Sequence, residues 1–150
     1  MARVLLILVA LMIGAAACGG DPDGNSGGDA YRSEAQPIPL GDWVAGDLDV
    51  DNGDRTDWKA VDLENSGKLN VEINADDKSA AVEIYVYDRY GYSLGSVARP
   101  KGAGGPVKVT VKAKRDGRYF IMIQQKSGNA TAYSVRATVG ESSDVPTPDF

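Results

Sequence analysis

Between Leu40 and Val139 the apolar positions repeat with a period of two. Lys68-Leu69-Asn70-Val71-Glu72-Ile73-Asn74, Val82-Glu83-Ile84-Tyr85-Val86-Tyr87 and Val107-Lys108-Val109-Thr110-Val111-Lys112 alternate strictly, and Tyr133, Val135, Ala137 and Val139 repeat the pattern. Successive side chains of a strand point to opposite faces, so each run predicts a strand with one buried face. Arg118 to Gln124 (RYFIMIQ) is apolar on both faces, as a central, doubly covered strand would be. Weaker strands are expected over Trp43–Val50 and Trp58–Leu63. Turn dipeptides separate the runs: Asn52-Gly53, Ser66-Gly67, Tyr90-Gly91, Asp116-Gly117 and Ser127-Gly128. No stretch sustains a helical period. About seven to eight short strands at regular spacing predict an all-β fold, a jelly-roll-like antiparallel β-sandwich. Its expected core is Leu69, Val71, Ile73, Val82, Ile84, Val86, Val107, Val109, Val111, Ile121, Ile123, Tyr133 and Val135.

The ends of the chain have a different character. Arg3 is followed by an apolar run from Val4 to Ile13 and then by the small residues Gly14, Ala15, Ala16 and Ala17. The run is too short to span a bilayer, which takes about 20 residues, and it has the layout of an export signal. Residues 1–17 are therefore expected to be a signal peptide. Cys18, the only cysteine, follows directly. Ala15-Ala16-Ala17-Cys18 resembles the lipobox of bacterial lipoproteins, although that motif usually has Leu where Ala15 stands. The resemblance implies that the Cys18 thiol carries diacylglycerol and that further acylation, such as palmitate, completes a membrane anchor. A plain secretion signal cut after Ala17 is the alternative. Gly19 follows the cysteine rather than Asp, which by the same resemblance implies the outer membrane if the source is Gram-negative. Residues 18–39, rich in Gly, Asp, Ser and Pro, are expected to form a flexible tether with a reach of about 25 Å. The sandwich is expected over 40–140 and a disordered tail over 141–150.

Composition removes much chemistry. There is no histidine, which excludes Ser-His-Asp and Cys-His catalysis and histidine metal sites. A single cysteine excludes an intrachain disulfide and a thiolate zinc cage. The net charge of −5 and pI near 4.7 argue against nucleic acid as a partner.

The ordered signals resemble the bacterial pre-peptidase C-terminal (PPC) domain family. They run Gly46-Asp47-Leu48, Asp54-Arg55-Thr56-Asp57-Trp58, Gly67-Lys68-Leu69-Asn70-Val71, Val82 to Asp88 with Gly91, Asp116 to Ile121, and Tyr133-Ser134-Val135. The resemblance implies a non-catalytic β-sandwich similar to the collagen-binding modules of bacterial collagenases. In that family some members bind calcium through acidic residues near the domain start. No peptidase accompanies the domain in this sequence.

Three side-chain groups are candidates for binding. Asp47, Asp49, Asp51, Asp54 and Asp57 crowd around the Asn52-Gly53 turn and offer the hard oxygens that calcium takes. Their spacing is not that of an EF-hand, and a solvated strand edge is the competing account. Tyr85, Tyr87, Tyr90 and Tyr92 offer rigid amphipathic contact area for a protein or polysaccharide ligand, against a role as sheet-bracing pairs. Lys108, Lys112 and Lys114 make one basic face, part of a stretch that also holds Arg99, Lys101, Arg115 and Arg118; such lysines also guard edge strands. No motif marks a catalytic residue. The expected function is a non-enzymatic, lipid-anchored envelope module that binds or adheres to a protein or glycan. An accessory subunit of an envelope or secretion complex is the alternative, and a small secreted hydrolase ranks third.

Overall fold

The computed structural model describes residues 21–140. The expected signal peptide 1–17, Cys18 and the expected tail 141–150 lie outside the described residues. A short 3-10 turn (Arg32–Glu34) precedes nine strands: β1 Gln36–Pro37, β2 Val44–Leu48, β3 Thr56–Leu63, β4 Gly67–Ala75, β5 Ala81–Tyr87, β6 Ser93–Arg99, β7 Val107–Ala113, β8 Gly117–Ser127 and β9 Thr131–Gly140. They form two sheets, ordered β1-β3-β8-β5-β6 and β2-β9-β4-β7. Every pair is antiparallel except the two-residue β1, which runs parallel to β3. Leaving β1 aside, each sheet has four strands, and the chain crosses between sheets in the order of a jelly roll. The all-β sandwich read from the alternation is therefore the fold.

Alternation explains the packing. The inward positions of β4 (Leu69, Val71, Ile73), β5 (Val82, Ile84, Val86) and β8 (Ile121, Ile123) are fully buried and meet Val109, Val111, Val135 and Ala137 from the other strands. Burying each such side chain contributes about 1.5–3 kcal/mol. Of the expected core only Val107, at the start of edge strand β7, is partly exposed. β6 was not legible, because Ser93-Leu94-Gly95-Ser96-Val97-Ala98-Arg99 shows little apolar alternation; it is held by its register on β5.

β8 is central, between β3 and β5, but it is not sealed on both sides. Phe120 and Met122 face outward and are half-buried beside Trp58, Tyr85 and Tyr87, with the Arg32 guanidinium 5.5 Å above the Phe120 ring.

Residues 21–39, within the span expected to be a tether, pack on the sandwich. The Asn25 N–H donates to the Gly53 carbonyl, Arg55 N–H donates to the Asp23 carboxylate, Trp58 N–H to the Asp29 carbonyl, and Ile38 N–H to the Ala60 carbonyl. Asp29, Ala30 and Ile38 are buried. This docking runs mostly through hydrogen bonds and the Asp29–Lys59 ion pair, with Ala30 and Ile38 as its buried apolar contacts, so the period-two pattern does not extend into it.

Candidate functional site

Two polar hollows lie at opposite ends of the sandwich. The register fixes this: Thr56 at the start of β3 pairs with Gln124, while Leu63 at its end pairs with Gly117. The β2–β3 turn and the docked residues 21–26 therefore sit at one end, and the β7–β8 turn sits at the other. Eight residues of β3 separate them, about 26 Å at a strand rise of about 3.3 Å per residue.

The first end brings Asp47, Asp54 and Asp57 to one hollow with Asp29 and Lys59, and leaves Asp49 and Asp51 outside its lining. Asp49 and Asp54 face each other across the β2–β3 turn, and the Asp49 carboxylate accepts from the backbone and side chain of Asn52. Asp47 is exposed on β2 and Asp51 is exposed at the turn tip. Asp57 points inward from β3, buried, and accepts from the Tyr133 hydroxyl. Gly46 lies against that ring, and a Cβ there would overlap Tyr133. Beside Asp57 the ammonium of Lys59 is buried 2.6 Å from Asp29, 3.7 Å from Asp57 and 3.0 Å from the Gln36 amide oxygen.

Of the five aspartates proposed for calcium, only Asp57 meets Lys59, so a buried ammonium already stands beside that carboxylate. Among the described residues no three acidic, cysteine or histidine side chains are grouped to hold a metal. The sequence could not show this, because Lys59 reads as an ordinary strand residue.

Two carboxyls here, those of Asp54 and Asp57, are held above the ordinary carboxylate range. Burial, and then repulsion from Asp47 and other aspartates, pushes Asp54 up to about 6, and its Oδ1 is buried with no partner. Asp57 is raised by burial, against the lowering effects of the Tyr133 hydrogen bond and Lys59. Tyr133 is raised by burial and by Asp57, so it stays a protonated donor.

The far end brings together two groups that sequence keeps apart. A groove of about 290 Å³ is lined by Tyr90 and Tyr92 of the β5–β6 turn and by Lys112, Lys114 and Arg115 of β7 and its following turn, with Asp88, Arg89, Leu94 and Tyr119 completing it. The Asp88 carboxylate accepts from the Tyr90 and Tyr92 N–H groups, both at 2.9 Å, and locks the hairpin. Gly91 has φ +90°, the left-handed region that favours glycine. The tyrosine rings are 68% and 72% exposed. Arg89 lies 5.6 Å from the Tyr90 ring and donates to the Asp116 carbonyl, tying the two turns together. The buried Tyr119 hydroxyl donates to the Arg115 carbonyl and holds the basic turn in place.

The remaining candidates lie elsewhere. Tyr85 and Tyr87 are half-buried in mid-sheet, 6.4 Å apart between ring centres, and Tyr87 is 5.4 Å from Trp58. The Tyr85 hydroxyl bonds to Glu83 and Lys126. The four tyrosines therefore divide into a sheet-bracing pair and an exposed pair. Lys108 lies opposite Glu72 in the β4–β7 register, away from the groove. Arg118 forms a bidentate pair with Asp62 across β3 and β8. Arg99 is buried and donates to the carbonyls of Ala75, Asp77, Ala80 and Ala103.

No protein-family model matches the chain, and no curated protein matches it by sequence. Among solved structures the pre-peptidase C-terminal domain of the collagenase from Bacillus anthracis is similar, with a TM-score of 0.57 and 14% identity over 69% of this chain and 93% of that one. A surface-associated copper-binding protein of Methylomicrobium album BG8 is similar, with a TM-score of 0.56 and 8% identity over 71% and 98%. These are likenesses of fold, and they describe a PPC-like β-sandwich.

Proposed function

We propose that the protein is a non-enzymatic binding module of the cell envelope, anchored through lipid on Cys18, whose ligand is a protein or glycan held in the Tyr90–Tyr92 groove. One observation carries the reading. Exposed tyrosines and basic side chains about twenty residues apart in sequence converge on a single groove, at the end of the sandwich away from the docked residues 21–26. Cys18 precedes Asp21 by three positions. A lipid there would set the acidic end toward the bilayer and present the groove outward. The fold is shared by a collagenase's PPC domain and a surface-associated protein, which suits a surface role. The outer membrane is the expected location in a Gram-negative source.

The test has two arms. Cys18→Ser should move the protein from the detergent phase to the aqueous phase; unchanged partitioning rejects the anchor. Separately, isolated envelopes with their proteins retained should sediment the unanchored Cys18→Ser protein, while Tyr90→Ala/Tyr92→Ala on the same Cys18→Ser background should lose at least tenfold in affinity with its melting temperature kept. Equal sedimentation of both rejects the groove as the ligand site.

A further inference from the structure

We infer that the groove between Asp88–Tyr92 and Lys112–Arg115 recognises an acidic glycan, a chain of uronate or sulfated sugars, with Tyr90 and Tyr92 stacking on the rings and Lys112, Lys114 and Arg115 receiving the acid groups. The inference rests on the reading of this groove as the ligand site and names the ligand's chemistry.

Charge comes first. Four cations, Arg89, Lys112, Lys114 and Arg115, line the groove with one carboxylate, that of Asp88, and on their other side Lys114 and Arg115 share a hollow with Glu64 and Asp116. Asp88 is already engaged by the Tyr90 and Tyr92 N–H groups. This concentration stands on a chain of net charge −5, four of whose aspartates line the hollow at the other end. A local concentration of cations of this kind attracts an approaching polyanion to the groove.

The type of cation narrows the partner. Lysine is a strongly hydrated point charge and is depleted from the buried centres of protein–protein interfaces. Two lysines beside two open aromatic rings suit a ligand that keeps its acid groups hydrated and offers flat apolar faces between them. Sugar rings bearing carboxylates or sulfates have that character. The volume is at the small end of ligand sites, about 300–1,000 Å³, so the groove takes a short stretch of a chain rather than enclosing a whole molecule. The turns that carry it are braced by the Arg89–Asp116 and Tyr119–Arg115 hydrogen bonds, so little ordering is required on binding.

The experiment is calorimetric titration of the full chain in detergent with oligogalacturonate, a heparin-derived oligosaccharide, neutral maltohexaose, a poly-glutamate peptide and oligo-dT. Binding is expected for at least one acidic oligosaccharide. It should weaken about tenfold between 50 and 200 mM NaCl, about tenfold in Lys114→Ala/Arg115→Ala, and about thirtyfold in Tyr92→Ala. These side chains are exposed, so melting temperatures should not move; Lys114→Glu gives an independent charge variant.

Failure of both acidic oligosaccharides to bind overturns the inference. So does equal or tighter binding of the peptide or of oligo-dT. Maltohexaose binding that is lost in Tyr92→Ala but indifferent to Lys114→Ala/Arg115→Ala overturns the acidic class and leaves the groove as a glycan site. Acidic-glycan binding that no groove variant alters removes both this inference and the groove reading.

Discussion

Lys59 and Asp29, thirty residues apart in the chain, meet at 2.6 Å with side chains only 3% and 4% exposed. The pair fixes the segment before β1 to the sandwich. Removing one member of a buried pair costs about 3–5 kcal/mol, because the other charge stays buried. Asp57 and Gln36 remain beside the ammonium, so Asp29→Ala should lie near the low end, about 3 kcal/mol by urea denaturation. The double variant Asp29→Leu/Lys59→Met should recover only part of that loss, because buried Asp57 then lacks its cation. A single-variant cost well under 1 kcal/mol would show that the backbone hydrogen bonds alone dock the segment.

Stability should vary with pH in a direction set by Asp54. Its folded value of about 6 lies above its ordinary value of 3.8. Between these values the folded protein holds a proton that the unfolded chain has lost. Stability therefore falls as pH rises from about 4 to about 6. The raised Asp57 acts in the same direction. Asp62, held low by Arg118, and Asp77, held low by hydrogen bonds from Ser79, act oppositely at lower pH. The melting temperature should peak on the acidic side of neutrality. Asp54→Asn should flatten its fall between pH 4 and 6 and leave the lower limb in place. An unaltered profile in that variant rules Asp54 out as the source.

Arg99 belongs to the structure and not to a basic surface. Its side chain, in a residue only 1% exposed, gathers four backbone carbonyls from the β4–β5 and β6–β7 connections. Lysine lacks the planar fork that reaches several acceptors at once. Arg99→Lys should cost about 2–3 kcal/mol, the scale of leaving buried polar groups unsatisfied, with no effect on groove binding. A loss of groove binding at unchanged stability would contradict this assignment.

The alternation in β4, β5, β7 and β9 was enough to read the sandwich and the centre of its core, because a period of two assigns a buried face directly; Leu48, Val61, Leu63 and Tyr119, in strands with weaker alternation, complete that core and were not named. The docked segment 21–39 was not legible. Its contacts are mainly hydrogen bonds and Asp29, which looks like any acidic linker residue, and its buried Ala30 and Ile38 are too isolated to form a pattern. Asp57 and Lys59 were equally hidden, since inward-facing charges are identified only by the partners that satisfy them. Tyr90, Tyr92, Lys112 and Lys114 were each visible as candidates. Their meeting was not, because it depends on two turns that the jelly-roll topology brings side by side.

The tyrosine row gives the sharpest separation between bracing and binding. Tyr87 is half-buried against Trp58 and Tyr85 on the outer face of β5, whereas Tyr92 is 72% exposed at the groove. Full removal of a buried aromatic ring costs about 3–5 kcal/mol, and a half-buried one should cost about 2 kcal/mol. Tyr87→Ala should therefore lower the denaturation midpoint and leave envelope sedimentation unchanged while the protein is folded. Tyr92→Ala should keep the midpoint and lose ligand affinity, because its ring meets solvent in the free protein and an anchor residue costs about 2 kcal/mol or more only when a partner covers it. The two variants are measured side by side on the unanchored Cys18→Ser background, in denaturation and in sedimentation. If Tyr87→Ala abolishes sedimentation at full stability while Tyr92→Ala does not, the ligand lies on the outer face of the β1-β3-β8-β5-β6 sheet, over Trp58, Phe120 and Met122, and not at the end of the sandwich.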